Sequence, residues 1–214
     1  HEDGEVGSAK AAQKYRSVMT ISTTSNKSLE EVAPLNDNIF FQLYFAKDRS
    51  ITEKMLKKTK EQGVKAIVFT IDAPKLGTRE RDERNNFKMP DNLSLGNFKG
   101  TIFENYDKRD GSSMNMHNEL LFDKSLTFDI IPWIKELSGL PVLVKGVLRS
   151  DDANKCLEYG ADGIINVSVF TSDIESGKQI LNEANRQFIE FNLETEKQKA
   201  QKVIDFINKN LESV

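Results

Sequence analysis

Cysteine occurs once in the 214 residues, at Cys156, so no disulfide can form within the chain. With only His1 and His117 beside it, a structural zinc site lacks ligands. This scarcity fits a reducing, intracellular compartment. An excess of one charge is missing too. Thirty basic residues face 33 acidic ones, a net charge of −3. Such a balance gives no footprint for nucleic acid or an anionic membrane. No apolar run approaches the roughly 18 residues that suggest a membrane span. A glycine-rich phosphate loop, a nucleophile elbow and a histidine-pair metal motif are all lacking. His1 to Gly7 lacks the basic start and apolar segment of a signal peptide. The chain does not open on methionine, which points to a start inside a longer gene product. Its end, Leu211-Glu212-Ser213-Val214, is not a peroxisomal tripeptide.

What is present is an alternation. With 38 % apolar and 29 % charged residues, the chain has the make-up of a soluble globular protein of one or two domains. Short β-branched or aromatic runs predict strands at Val18–Ser22, Ile39–Tyr44, Lys65–Ile71, Pro141–Lys145 and Gly163–Val167. The third is apolar on both faces, as a buried parallel strand should be. Helical spacing falls between them. Ser28 predicts an N-cap, with Glu31 as its capping-box partner. Ile51–Glu61 predicts a helix stopping near Gly63. Ile130–Leu137 predicts another, with Pro132 in the first turn, and Asp151–Tyr159 a third, ending at Gly160. This order argues for an α/β fold, a parallel sheet with helices outside it.

Two stretches break the rhythm. Phe87–Phe128 is long, polar and poor in periodic signal, as expected of an active-site lid or a disordered segment. Thr171–Val214 is charged and helical in pattern, with Val203, Ile207 and Leu211 on one face. The expected domains are therefore a β/α body over residues 1–170 and a charged helical tail over 171–214.

In parallel β/α barrels the site lies at the C-terminal ends of the strands. The polar residues there are Ser22 and Thr23, Gln42 and Tyr44, Thr70 and Asp72, and Lys145. Each has an ordinary reading as a strand-end cap, but four such strands in a row suit one shared ligand. Lys145 follows Pro-Val-Leu-Val; it must find an anion there, lose its proton or snorkel outward. Asp72 can orient a base, pair with an arginine or simply be a turn aspartate. Arg79 and Arg81 lie in a charged run, where an arginine can grip a carboxylate through two hydrogen bonds or merely be solvated.

The segments Phe41-Gln42-Leu43-Tyr44, Thr70-Ile71-Asp72-Ala73-Pro74-Lys75-Leu76-Gly77-Thr78-Arg79 and Leu143-Val144-Lys145-Gly146-Val147 carry more than pattern, together with Gly160-Ala161-Asp162-Gly163-Ile164-Ile165. In this order they resemble the FMN-dependent L-2-hydroxy-acid oxidases and dehydrogenases, such as glycolate oxidase and the lactate dehydrogenase flavocytochromes. The resemblance covers roughly residues 1–168. It implies part of a TIM-type (β/α)8 barrel, FMN as cofactor and a small 2-hydroxy acid as substrate. It leaves room for a homo-oligomer, and for a cytoplasmic, peroxisomal or mitochondrial location. It also implies roles. Ser22, Gln42, Thr70 and Lys145 would contact the flavin, with the Lys145 ammonium stabilising negative charge that grows on the ring edge. Tyr44 and Arg79 would hold the substrate, and Asp72 would steady a catalytic histidine as imidazolium.

That histidine is not where the resemblance places it. The family reads Ser-Asn-His-Gly-x-Arg after the fifth of these strands; this chain reads Asn166-Val167-Ser168-Val169-Phe170-Thr171. Val169 or Phe170 stands for the base, and the second substrate arginine has no counterpart. Thr24 stands where oxidases of short substrates often carry tryptophan. By the same resemblance the first barrel strand would precede His1, and the last two strands, with the phosphate site, have no counterpart. The expectation is an oxidoreductase with impaired chemistry. The alternative is a non-catalytic flavin-binding or protein-interaction fragment.

Overall fold

The structure is a computed structural model. It describes residues 3–73, 80–85, 87, 90, 92–101, 103–104 and 122–165. By its internal contacts the chain divides into His1–Asn166 and Val167–Val214, and every described element lies in the first unit. The helical tail expected at 171–214 lies outside the described residues.

Among the described residues five strands form one sheet in the order of the sequence: β1 (Met19–Ser22), β2 (Ile39–Leu43), β3 (Ala66–Thr70), β4 (Val142–Lys145) and β5 (Gly163–Ile165). Every pairing is parallel, so each connection must cross over the sheet. The crossovers carry α2 (Leu29–Val32), α3 (Arg49–Glu61), α4 (Glu80–Arg84), α5 (Ile130–Ser138) and α6 (Ser150–Glu158). Ahead of β1 lies α1 (Gly4–Lys14), a helix with no apolar stripe, in which only Ala9 is buried.

Alternation along the strands sorts the two faces. Ile21, Phe41, Leu43, Ile67, Phe69, Val142 and Val144 are buried, in one cluster with Leu29, Leu56, Ile131 and Ile134 from the helices. Each such side chain stabilises the fold by roughly 1.5–3 kcal/mol when fully buried. Phe45 ties β2 to this layer, with its ring 6.5 Å from Phe69 and 5.5 Å from Trp133. The opposite face is barer. Phe40, Gln42, Leu143, Lys145 and Ile165 are half-buried there, and Thr20 is exposed. Only β3, in the middle, is buried at all five positions, as its apolar run predicted.

Helix ends follow the local chemistry. At α2 the Glu31 carboxylate accepts from the Ser28 N–H at 2.9 Å, as the capping spacing predicted. That N–H holds the Glu31 carboxyl below its ordinary pKa, against the opposing effect of burial. Gly139 ends α5 in the left-handed region at φ 64°, where a β-carbon is disfavoured. One expectation needs correction. Part of the polar stretch 87–128 belongs to the core: Leu95, Phe98 and Phe122 are buried, and Gly96–Phe98 is a 3-10 turn.

Candidate functional site

Register decides what meets at the C-terminal ends of the strands. Ser22 pairs across from Gln42, and Thr70 across from Lys145. Ser22 is the last residue of β1, Thr70 of β3 and Lys145 of β4, while Gln42 is next to last in β2. In-register parallel pairing therefore delivers all four to one edge of one face.

Three of the four side chains are joined, those of Ser22, Gln42 and Thr70. The Ser22 hydroxyl donates to Gln42 Oε1 at 2.9 Å, and Gln42 Nε2 donates to Thr70 Oγ1 at 2.9 Å. Gln42 thus spans the gap between β1 and β3, using both ends of its carboxamide, which fixes its orientation. Thr24 Oγ1 lies 3.1 Å from Ser22 Oγ and extends the row by one hydroxyl. Thr23 turns the other way. Its buried hydroxyl donates to the Gln42 carbonyl at 2.7 Å and accepts from the Tyr44 N–H at 2.9 Å, locking β1 to β2 beyond their last ladder bond.

At the other end of the row, Lys145 Nζ lies 3.3 Å from Asp72 Oδ2. The sequence leaves this lysine an anion, a lost proton or an outward path, and offers Asp72 a base or an arginine; the structure pairs the two residues with each other. The pair is not deeply buried: the side chains are 35 % and 47 % exposed. At that exposure an ion pair contributes little to stability, so its value lies in placing a cation. Gly146 makes the approach feasible. It sits at φ 98°, and a β-carbon there would come within 2.6 Å of Asp72.

Tyr44 follows Gln42 by two residues and, like Thr70, lines a cavity. Its ring packs on Phe122 with centroids 4.9 Å apart. The cavity is largely apolar, of about 210 Å³, and is lined by Phe45, Phe69, Leu126 and Val144 as well. Arg79 lies outside the described residues, as do His1, His117, Val169 and Phe170. The structure thus brings together Ser22, Gln42, Thr70, Lys145 and Asp72, and places Tyr44 beside an apolar space.

Two further residues, neither of them at a strand end, hold the turn after β1. Asn97 reaches it from the β3–β4 connection, donating to the Ser22 carbonyl at 3.0 Å and accepting from the Leu29 N–H at 2.8 Å. Glu5 of α1 accepts from the Asn26 and Lys27 N–H groups at 3.0 and 3.2 Å. The available signal was weak: apolar Leu93, Leu95 and Phe98 bracket Asn97 inside an otherwise polar stretch.

Polar groups in line at the mouths of parallel strands, with an ammonium at one end, form a candidate ligand site where β/α folds carry theirs. Comparison with known proteins makes the class specific. The model of the FMN-dependent dehydrogenases matches residues 1–168. The chain belongs to that family. Glycolate oxidase 3 of Arabidopsis thaliana is 42 % identical over 166 residues, which cover 77 % of this chain and 45 % of that protein. Glycolate oxidase of Spinacia oleracea is 39 % identical over 166 residues, with the same coverage. A crystal structure of mandelate oxidase with (S)-4-hydroxymandelic acid superposes with a TM-score of 0.71 at 33 % identity, covering 77 % of this chain and 46 % of that one. The fold is accordingly a partial β/α barrel, and the chain spans about half the length of the curated relatives it matches. The family's cofactor is FMN. The donor set suits such a group: hydroxyls, a fixed carboxamide and an ammonium offer a polar ring edge both hydrogen bonds and positive charge.

Proposed function

We propose that this chain carries the ring-edge half of an FMN site of 2-hydroxy-acid oxidase type, with the oxidation step impaired. The observation that supports the reading is the Ser22–Gln42–Thr70 row, two 2.9 Å hydrogen bonds long, with Lys145 in register beside it. In this reading Ser22, Gln42, Thr70 and Lys145 contact the flavin. When bound, FMN supplies the two-electron acceptor for oxidation of a small 2-hydroxy acid to the 2-oxo acid.

Each residue has a defined task. Gln42 is oriented by its two neighbours and holds the row at fixed spacing. Lys145 brings positive charge to the site, steadied by Asp72, so that negative charge developing on a ligand is favoured. Tyr44 and Arg79 hold the substrate, with Tyr44 next to the apolar cavity. Asp72 is the group that would steady an imidazolium, yet the sequence supplies Val169 or Phe170 in the base's place. Loss of a general base lowers rates by roughly 10²–10⁴-fold. The division into a barrel body at 1–170 and a charged tail at 171–214 is part of the same proposal.

That substitution also favours a second reading, a flavin-binding or interaction fragment without catalysis. FMN titration of the purified chain, followed by anaerobic addition of glycolate, lactate and mandelate, separates the two. Bound flavin that bleaches slowly supports the oxidase; bound flavin that never bleaches supports the fragment. Failure to bind at all removes both flavin readings.

A further inference from the structure

The turn after β1, residues 23–28, is held more densely than a surface loop requires. Asn97 alone makes four contacts with it and its flanks. Its Nδ2 lies 3.0 Å from the Ser22 carbonyl, 3.3 Å from the Thr23 carbonyl and 3.0 Å from Ser25 Oγ, while its Oδ1 accepts from the Leu29 N–H at 2.8 Å. Around it, the Gly96 N–H donates to the Ser25 carbonyl at 2.9 Å, and Asn26 Nδ2 donates to the Ser94 carbonyl at 3.2 Å. The backbones are in direct contact. A β-carbon on Gly96 would fall 2.4 Å from Ser28 N and 2.5 Å from Lys27 C. Asn97 is buried and lies 68 to 75 residues from its partners in sequence.

The contacts specify the side chain. Donors are needed toward carbonyls on one side and an acceptor toward an N–H on the other, from one planar group. A carboxamide provides both, and a carboxylate of the same shape does not. The carbonyls it gathers belong to Ser22 and Thr23, where β1 ends. Ser22 begins the polar row, and Thr24 extends it.

We propose that Asn97 is a positioning residue for this site: its carboxamide clasps the turn after β1 and so aims the Ser22 and Thr24 hydroxyls at the ligand. As a positioning residue for FMN it rests on the reading above. As a clasp it does not. Asn97 belongs to the long connection between β3 and β4, so that connection and the β1 end of the site are braced together.

The test uses the full chain with Asn97→Asp, which keeps the acceptor for Leu29 but sets an anion against two carbonyls. The control is Phe98→Leu, a buried neighbour in the same 3-10 turn whose side chain makes no hydrogen bond to residues 23–29. Two readouts are taken: amide hydrogen exchange without ligand, and FMN affinity with the absorbance of any bound flavin. The expected result is at least 10-fold faster exchange across 24–29 in Asn97→Asp with the β2–β4 amides unchanged. FMN affinity should fall about 10-fold with an altered flavin band, and Phe98→Leu should show neither effect at similar thermal stability. If Asn97→Asp does not fold, Ser25→Ala removes one clasp contact and is read in the same way. Unchanged exchange overturns the clasp. Equal effects from both variants reduce Asn97 to a packing role and overturn the proposal. If the unmodified chain binds no FMN, the flavin reading fails, while the exchange data still decide the clasp.

Discussion

Lys145 Nζ and Asp72 Oδ2 stand 3.3 Å apart, joining the end of β4 to the residue two beyond the end of β3. The two side chains are 35 % and 47 % exposed, so water weakens the pair, and pairs of this kind contribute about 0–1 kcal/mol. Lys145→Met should therefore alter urea stability by no more than about 1 kcal/mol. FMN affinity should fall at least 10-fold, because the cation is lost from the site. A chain that binds FMN equally well without Lys145 contradicts its assigned role.

Gly146→Ala tests the same relationship from the backbone. The new methyl would require φ 98° and would lie 2.6 Å from Asp72. Both the strain and the clash act against the ion pair. The variant should be destabilised by roughly 1–3 kcal/mol in urea unfolding, with Asp72 displaced. Unchanged stability would show that the β4 end is looser than its geometry indicates.

Gln42 holds two hydrogen bonds, and Gln42→Leu leaves the Ser22 and Thr70 hydroxyls without their shared partner. A net contribution near 1 kcal/mol per bond predicts a loss of about 1–2 kcal/mol. Thr70 is almost fully buried and should account for most of it. Denaturant unfolding of Gln42→Leu against Gln42→Glu measures the effect. The glutamate keeps an acceptor for Ser22 but cannot donate to Thr70 when ionised.

Acid should loosen the start of α2. The Ser28 N–H holds the Glu31 carboxyl below its ordinary range, with burial opposing and the Ser28 side chain and Lys99 assisting. A carboxyl depressed in the folded state contributes stability that is present above its unfolded value, about 4.3. That contribution is lost as pH falls through the depressed folded value. Melting temperature followed from pH 7 to about pH 3 should thus drop less steeply in Glu31→Gln than in the unmodified chain. Parallel curves would show that the cap carries no such linkage.

Cys156 is buried in α6, and burial, with help from Asp152, pushes its thiol pKa up. A raised pKa keeps the thiolate scarce at neutral pH, so reaction with a thiol reagent should be slow in the native chain and fast in urea. Rapid native modification would show that the α6 layer opens readily.

The strands were legible because a buried parallel strand needs an unbroken apolar run, and Ala66–Thr70 has one. The row at their mouths was legible because Ser22, Gln42, Thr70 and Lys145 end such runs. Alternation alone did not tell which of them touch; the in-register pairing of Ser22 with Gln42 decides that. Asn97 was not legible, because its partners lie 68 to 75 residues away and its neighbourhood is polar. Helix α1 was missed for a related reason. Only Ala9 in it is fully buried, so the sequence shows no stripe there. For Asp72 the sequence suggests a base or an arginine; its cation is Lys145 instead, because the pairing of Thr70 with Lys145 sets that ammonium at the same strand mouth.

The most direct test is an anaerobic FMN titration of the purified 214-residue chain, watched by visible absorbance and followed by excess glycolate, lactate or mandelate. The expected result is a perturbed flavin spectrum that Lys145→Met abolishes or weakens at least 10-fold, and bleaching far slower than in the glycolate oxidases. A flat titration would contradict flavin binding at the strand mouths. Rapid bleaching would contradict the claim that chemistry is impaired without the histidine.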